Sequence, residues 1–138
     1  MFLPSSQCSA VSRTLALLVL LVALCSSAHA VSPSGWVKHV PEADRSRPNP
    51  VASQPDAISA GEKLYSQQCA RCHGQDAAGK NHHPSLRSER VHADTPGELE
   101  WIIAHGARFR MRSFAKKLSD TERWEIVSYI QSLSVIKK

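Results

Sequence analysis

At 138 residues the chain has room for one small domain and its flanks, and its formal net charge of +5 at pH 7 bears on partners and solubility rather than on fold. The 4 cysteines do not make a disulfide scaffold: Cys8 and Cys25 sit in an N-terminal apolar segment, and only Cys69 and Cys72 stand in the remainder. No stretch alternates apolar and polar residues convincingly enough for a strand, so a β architecture is excluded and an all-α bundle is expected.

Residues 1–30 read as a secretory signal. Arg13 is the one charge ahead of the apolar run Leu15–Leu24, and Ala28-His29-Ala30 has the small-x-small pattern of a signal peptidase site. The run falls short of the roughly 20 apolar residues that span a bilayer. No stable membrane insertion is expected after cleavage, and a retained anchor is the alternative. Leu24 is bulky where a lipidation signal places a small residue, and the segment lacks the arginines of a mitochondrial presequence. The bacterial periplasm is the expected compartment. Residues 31–55, with Pro33, Pro41, Pro48, Pro50 and Pro55, form an extended leader in which Trp36 and Val37 are either pinned to the folded body or part of a frayed tail.

The domain proper is expected over 56–138. Its first helix starts at Asp56, a good N-cap, and runs through Ile58, Gly61, Leu64 and Tyr65 to Gln68. Cys69-Ala70-Arg71-Cys72-His73 follows on its last turn, and a glycine-punctuated loop extends from Gly74 through Pro84. The second helix opens with Thr95-Pro96-Gly97-Glu98, a capping box with proline at the first helical position, buries Leu99, Ile102 and Ile103, and stops at Gly106. A second capping box, Ser119-Asp120-Thr121-Glu122, starts the third helix, whose buried stripe is Ile126, Tyr129, Ile130 and Leu133.

Chemistry concentrates at residues 69–73. Two thiols separated by two residues, with an imidazole directly after, form the attachment signature of c-type haem. Cys69 and Cys72 suit thioether formation with the two porphyrin vinyl groups, and His73 suits the proximal nitrogen ligand. A structural zinc site needs two further ligands at matching spacing, and His82, His83 and His92 fit no common finger. A redox-active dithiol would follow a strand, and none precedes Cys69.

The candidate for the other side of the iron is Met111, the only methionine after Met1. It lies between the second and third helices among Arg108, Arg110 and Arg112, where an apolar filler is out of place. Its soft thioether favours ferrous iron. His105 is the rival, with an alternative role as a cation at a helix C-terminus. His82, His83 and His92 read as solvated loop residues.

Over residues 56–134 the chain resembles the class I cytochromes c, in particular the small bacterial periplasmic kind with one haem. The likeness rests on Gly61 and Tyr65, on Cys69–His73, on Pro84-Ser85-Leu86, on Met111-Arg112-Ser113-Phe114 and on Leu118–Ile130. It implies a bundle of three main helices around one covalent haem c, with Cys69 and Cys72 as thioethers and His73 and Met111 on iron. The Pro84 carbonyl would accept a hydrogen bond from the His73 ring, and Gly61 and Tyr65 would cross the last helix near Ile126 and Tyr129. The implied function is one-electron transfer between redox proteins, without catalysis of its own and without a nucleic-acid partner. Arg108, Arg110, Arg112, Lys116 and Lys117 then read either as a basic collar for an acidic partner at the haem edge or as solvated loop charges. The family usually has proline after the distal methionine, and Arg112 stands there instead. That departure keeps open a haem enzyme or gas sensor with a labile Met111. A dedicated electron-accepting subunit of a periplasmic dehydrogenase is the other alternative.

Overall fold

The computed structural model describes residues 35–107 and 110–136, so the expected signal at 1–30, the first residues of the leader and Arg108 lie outside the described residues. A 3-10 turn, Val37–His39, is followed by six helices: α1 (Glu42–Arg45), α2 (Ala57–Gln68), α3 (Ala70–His73), α4 (Glu89–His92), α5 (Pro96–His105) and α6 (Asp120–Ser132). Among the described residues there is no strand, only the isolated bridges Lys80–His83 and Ala107–Met111.

The three main helices are α2, α5 and α6, as the periodicity indicates, and both capping boxes form. Thr95 Oγ1 accepts from Glu98 N at 3.2 Å while Glu98 Oε2 accepts from Thr95 N at 2.7 Å. Ser119 and Glu122 repeat the exchange at 3.3 and 2.7 Å. Each box satisfies two backbone donors that have no partner within the helix. Asp56 does occupy the N-cap of α2, but its side chain caps nothing, and its backbone already has right-handed helical angles. The cysteine motif does not continue α2 either. The chain relaxes at Cys69 (φ −114°), and Ala70–His73 forms a separate turn.

Packing begins where α2 meets α6. A Cβ on Gly61 would stand 2.0 Å from the Glu125 carbonyl oxygen, so only glycine permits this approach. One turn on, the buried Tyr65 ring lies 5.1 Å from Tyr129, centroid to centroid. Trp124, Ile126 and Val127 on α6 are wholly buried, and the core they centre takes in Val51, Leu99, Ile103, Phe114 and Leu118.

The leader is not extended from Gly35 onward. Val37, Val40 and Val51 are buried, Arg45 pairs with Glu98 at 2.8 Å, and Arg47 pairs with Glu100 at 3.4 Å. Asn49 Nδ2 donates to Ser128 Oγ at 2.9 Å. Proline density hides this packing because its buried valines follow no local period and its polar contacts reach residues some fifty or more positions away.

Gly61→Ala should cost about 3 kcal/mol, the upper range for overpacking a tight contact, because the new methyl meets backbone rather than a movable side chain. Denaturant titration of the purified protein measures it; a loss below about 0.5 kcal/mol, the range of a harmless surface change, would contradict the close crossing.

Candidate haem site

Tyr65 connects the helix crossing to the motif. Its hydroxyl donates to the Gly74 carbonyl at 2.6 Å, directly after His73. Burial pushes the Tyr65 pKa well above its usual value, which keeps the phenol protonated as a donor. The loop beyond Gly74 returns on itself through Gly79 N to His73 O (2.9 Å) and Leu86 N to Ala77 O (2.9 Å). These bonds bring Pro84 O to 3.0 Å from His73 Nδ1.

A ring nitrogen facing a carbonyl oxygen carries the proton, so His73 donates from Nδ1, and in the neutral ring Nε2 keeps its lone pair. Burial lowers the His73 pKa, the Pro84 bond opposes that shift, and the neighbouring His83 adds to it. The neutral form is therefore favoured, as metal ligation requires. Cys69 and Cys72 are both free and half-buried. Burial, followed by the charge of Cys72, pushes the Cys69 thiol up to about 11, away from the reactive thiolate.

The Met111 side of the cleft is built from backbone contacts. Gly106 ends α5 at φ +81°, where a Cβ would lie 2.4 Å from the Met111 carbonyl oxygen. Ala107 N donates to that same carbonyl at 2.9 Å. The chain past Met111 then covers the end of α5: Phe114 N donates to Ile103 O at 3.1 Å, Ala115 N to Ala104 O at 3.3 Å, and the Ser113 hydroxyl also to Ala104 O. Carbonyls left open by the helix terminus thus anchor the methionine loop.

His73 and Met111 line the same two adjoining cavities, each of about 220 Å³. Cys69 and Cys72 border one; Trp36, Pro84, Leu99 and Ile102 border the other. Arg110 reaches both, and Arg112 lies over the Phe114 ring, 5.2 Å from guanidinium carbon to centroid. Two free thiols, an imidazole with its outer nitrogen engaged and a thioether, all on one apolar cleft, fit an iron porphyrin held covalently.

The other histidines separate clearly. His105 is exposed, stacks on Trp101 with centroids 4.4 Å apart, engages Trp101 O through Nδ1 at 2.9 Å, and borders neither cavity. His82 is exposed on the rim of one cavity. His83 is not the solvated loop residue expected from sequence: it is half-buried, borders both cavities, and its ring lies 5.8 Å from that of His73. His92 is also half-buried, and its Nε2 has no hydrogen-bond partner. No sequence signal marked either, because burial of a lone loop histidine depends on the path of the loop.

The fold and site define a c-type cytochrome. The chain belongs to the family described as cytochrome c oxidase, cbb3-type, subunit III, whose profile matches residues 56–130. It is 31% identical over 86 residues to the cbb3-type cytochrome c oxidase subunit CcoP of Rubrivivax gelatinosus, covering 61% of this chain and 28% of that one. It is 31% identical over 90 residues to cytochrome c550 of Pseudomonas aeruginosa, covering 62% of each. The chain thus spans less than two thirds of these relatives. Among solved structures, cytochrome cL of Methylophaga aminisulfidivorans superposes with a TM-score of 0.58 at 26% identity, over 79% of this chain and 72% of that one. Covalently bound haem c is accordingly the cofactor.

Gly106→Ala should loosen the methionine loop, since alanine is strained at a positive φ and its methyl meets the Met111 backbone. Faster hydrogen exchange at the Ala107 amide, compared with amides in the middle of α6, is the expected result; unchanged protection would refute the anchoring role of the glycine.

Proposed function

We propose that the protein is a periplasmic one-electron carrier, exported by the signal at residues 1–30, with Cys69 and Cys72 holding the haem and His73 and Met111 as axial ligands. The observation that carries this reading is the meeting of His73 and Met111 on one cleft, with the His73 ring oriented by Pro84. The haem supplies a ferric–ferrous couple. Pro84 holds the imidazole in one tautomer and strengthens its donor nitrogen. Met111 offers a soft sulfur that favours the reduced state. The loop bonds to α5 hold the Met111 backbone without the proline common at the next position, so Arg112 does not by itself free the distal side. His105, directed away on Trp101, gives no distal acid–base group for a haem enzyme.

No helix among the described residues is long and apolar enough to cross a membrane. The family's oxidase subunit and the 33% identity over 88 residues to quinohemoprotein alcohol dehydrogenase ADH IIB of Pseudomonas putida support a second reading, an electron-transfer subunit serving a larger redox complex. That match covers 12% of the dehydrogenase.

Visible spectroscopy tests the ligand set. The ferric protein should show the weak sulfur-to-iron band in the red, and Met111→Ala should lose it and have a lower midpoint potential. Cys69→Ala with Cys72→Ala should yield haem extractable by acidified organic solvent. A high-spin ferric spectrum in the unaltered protein would overturn the carrier reading in favour of an open-site enzyme or sensor.

Arg110, Arg112, Lys116 and Lys117 are exposed around the methionine loop, and on this reading they supply a basic docking collar. Exposed charges act at long range and are screened over about 8 Å at physiological salt. Electron exchange with an acidic redox partner should therefore slow as ionic strength rises; a rate constant indifferent to salt in stopped-flow measurements would rule out the collar.

A further inference from the structure

One wall of the haem cleft comes from outside the family domain. The profile match begins at residue 56, yet Gly35 and Trp36 border the cavity that also contains His73 and Met111. This is the cavity without the cysteines, so the indole stands at the end of the cleft remote from the covalent attachment.

Trp36 is held there by a chain of specific contacts. Val37, the next residue, is 2% exposed. Arg45 folds back beneath the turn and donates through Nη2 to Val37 O at 3.1 Å and Val40 O at 3.4 Å. Its Nη1 meets Glu98 Oε1 at 2.8 Å, and the Glu98 side chain is only 4% exposed. The Arg45 carbonyl in turn accepts from Thr95 Oγ1 at 2.8 Å. One arginine therefore ties the carbonyls on either side of the Val37–His39 turn to the first turn of α5, whose Leu99 and Ile102 face the same cavity. A buried carboxylate left without its guanidinium is strongly unfavourable, so this clasp has reason to stay closed.

We propose that Trp36 is a cofactor-contact residue closing the cleft against water, and that the Arg45–Glu98 clasp is the positioning device that keeps it there. The inference rests on the haem reading of the cleft. Excluding water from a haem edge disfavours the more highly charged ferric state and restricts the approach of small ligands to iron. A segment that precedes the cytochrome domain thereby sets part of the domain's redox behaviour.

The test uses the full holoprotein and two readouts, the midpoint potential and the rate of cyanide binding to ferric iron. Trp36→Ala should lower the potential and speed cyanide binding several-fold, and Trp36→Phe should restore both toward the parent values. Arg45→Ala should reproduce the Trp36→Ala changes, since the indole loses its tether. Trp101→Ala should leave both readouts at parent values, because Trp101 does not border the haem cleft, although it shares a neighbouring groove with Trp36. If Trp36→Ala does not accumulate with haem, Trp36→Leu gives the same comparison. Parent values in Trp36→Ala, or in Trp36→Leu where the alanine variant does not accumulate, would overturn the wall. An Arg45→Ala protein that melts earlier yet keeps parent potential and cyanide rate would overturn the positioning role and reduce the clasp to a stabilising contact. Failure of the haem reading is distinguishable, since the parent would then carry no covalent haem at all.

Discussion

The contact of Gly61 with the Glu125 carbonyl is the constraint on which the rest of the structure depends. Two helices meeting backbone to backbone are fixed in translation as well as angle, because no side chain stands between them to take up slack. From that point the order of events along the chain is short. Tyr65 is placed one turn later, its hydroxyl anchors Gly74, and the returning loop delivers a carbonyl to the His73 ring. A helix crossing is thereby converted into the orientation of the imidazole that lines the cleft.

The two sides of the cleft are held by different physics. On the proximal side, a buried aromatic and a folded loop fix an imidazole whose tautomer follows from its acceptor. On the Met111 side, the open carbonyls at the end of α5 recruit the chain after Met111. Charge enters at a third place, where Glu98 and Glu100, both buried, are met by Arg45, Arg47 and Arg123. Arg47 also lies over the Trp124 ring at 5.1 Å, so the same guanidinium serves an ion pair and an aromatic face of the core. Removal of any one of these arginines would leave a carboxylate with less compensation for its burial.

Most of the helical framework was legible because its signals are local. Capping boxes at Thr95 and Ser119 are written within four residues, and the apolar stripes of α5 and α6 within two turns. The attachment motif is equally short-range. Pro84 was different: a backbone acceptor leaves no trace in side-chain chemistry, and only likeness to a family pointed to it. The segment from Gly35 to Asn49 was misjudged for a related reason. It is held by isolated buried valines and by single arginines and one asparagine reaching distant partners, while its own residues show no period. His83 escaped notice because nothing about a histidine beside a proline says whether a loop turns it inward.

The methionine loop has a consequence for how this surface can change over time. Main-chain atoms of Ala107, Phe114 and Ala115, with the Ser113 hydroxyl, hold it to α5, whereas the side chains of Arg110 and Arg112 are exposed. Substitution at those two positions can change the charge of this surface while the bonds that hold the Met111 backbone stay in place. Anchoring and surface charge are thus assigned to separate atoms of the same short segment, which leaves one free to drift under selection without dragging the other along.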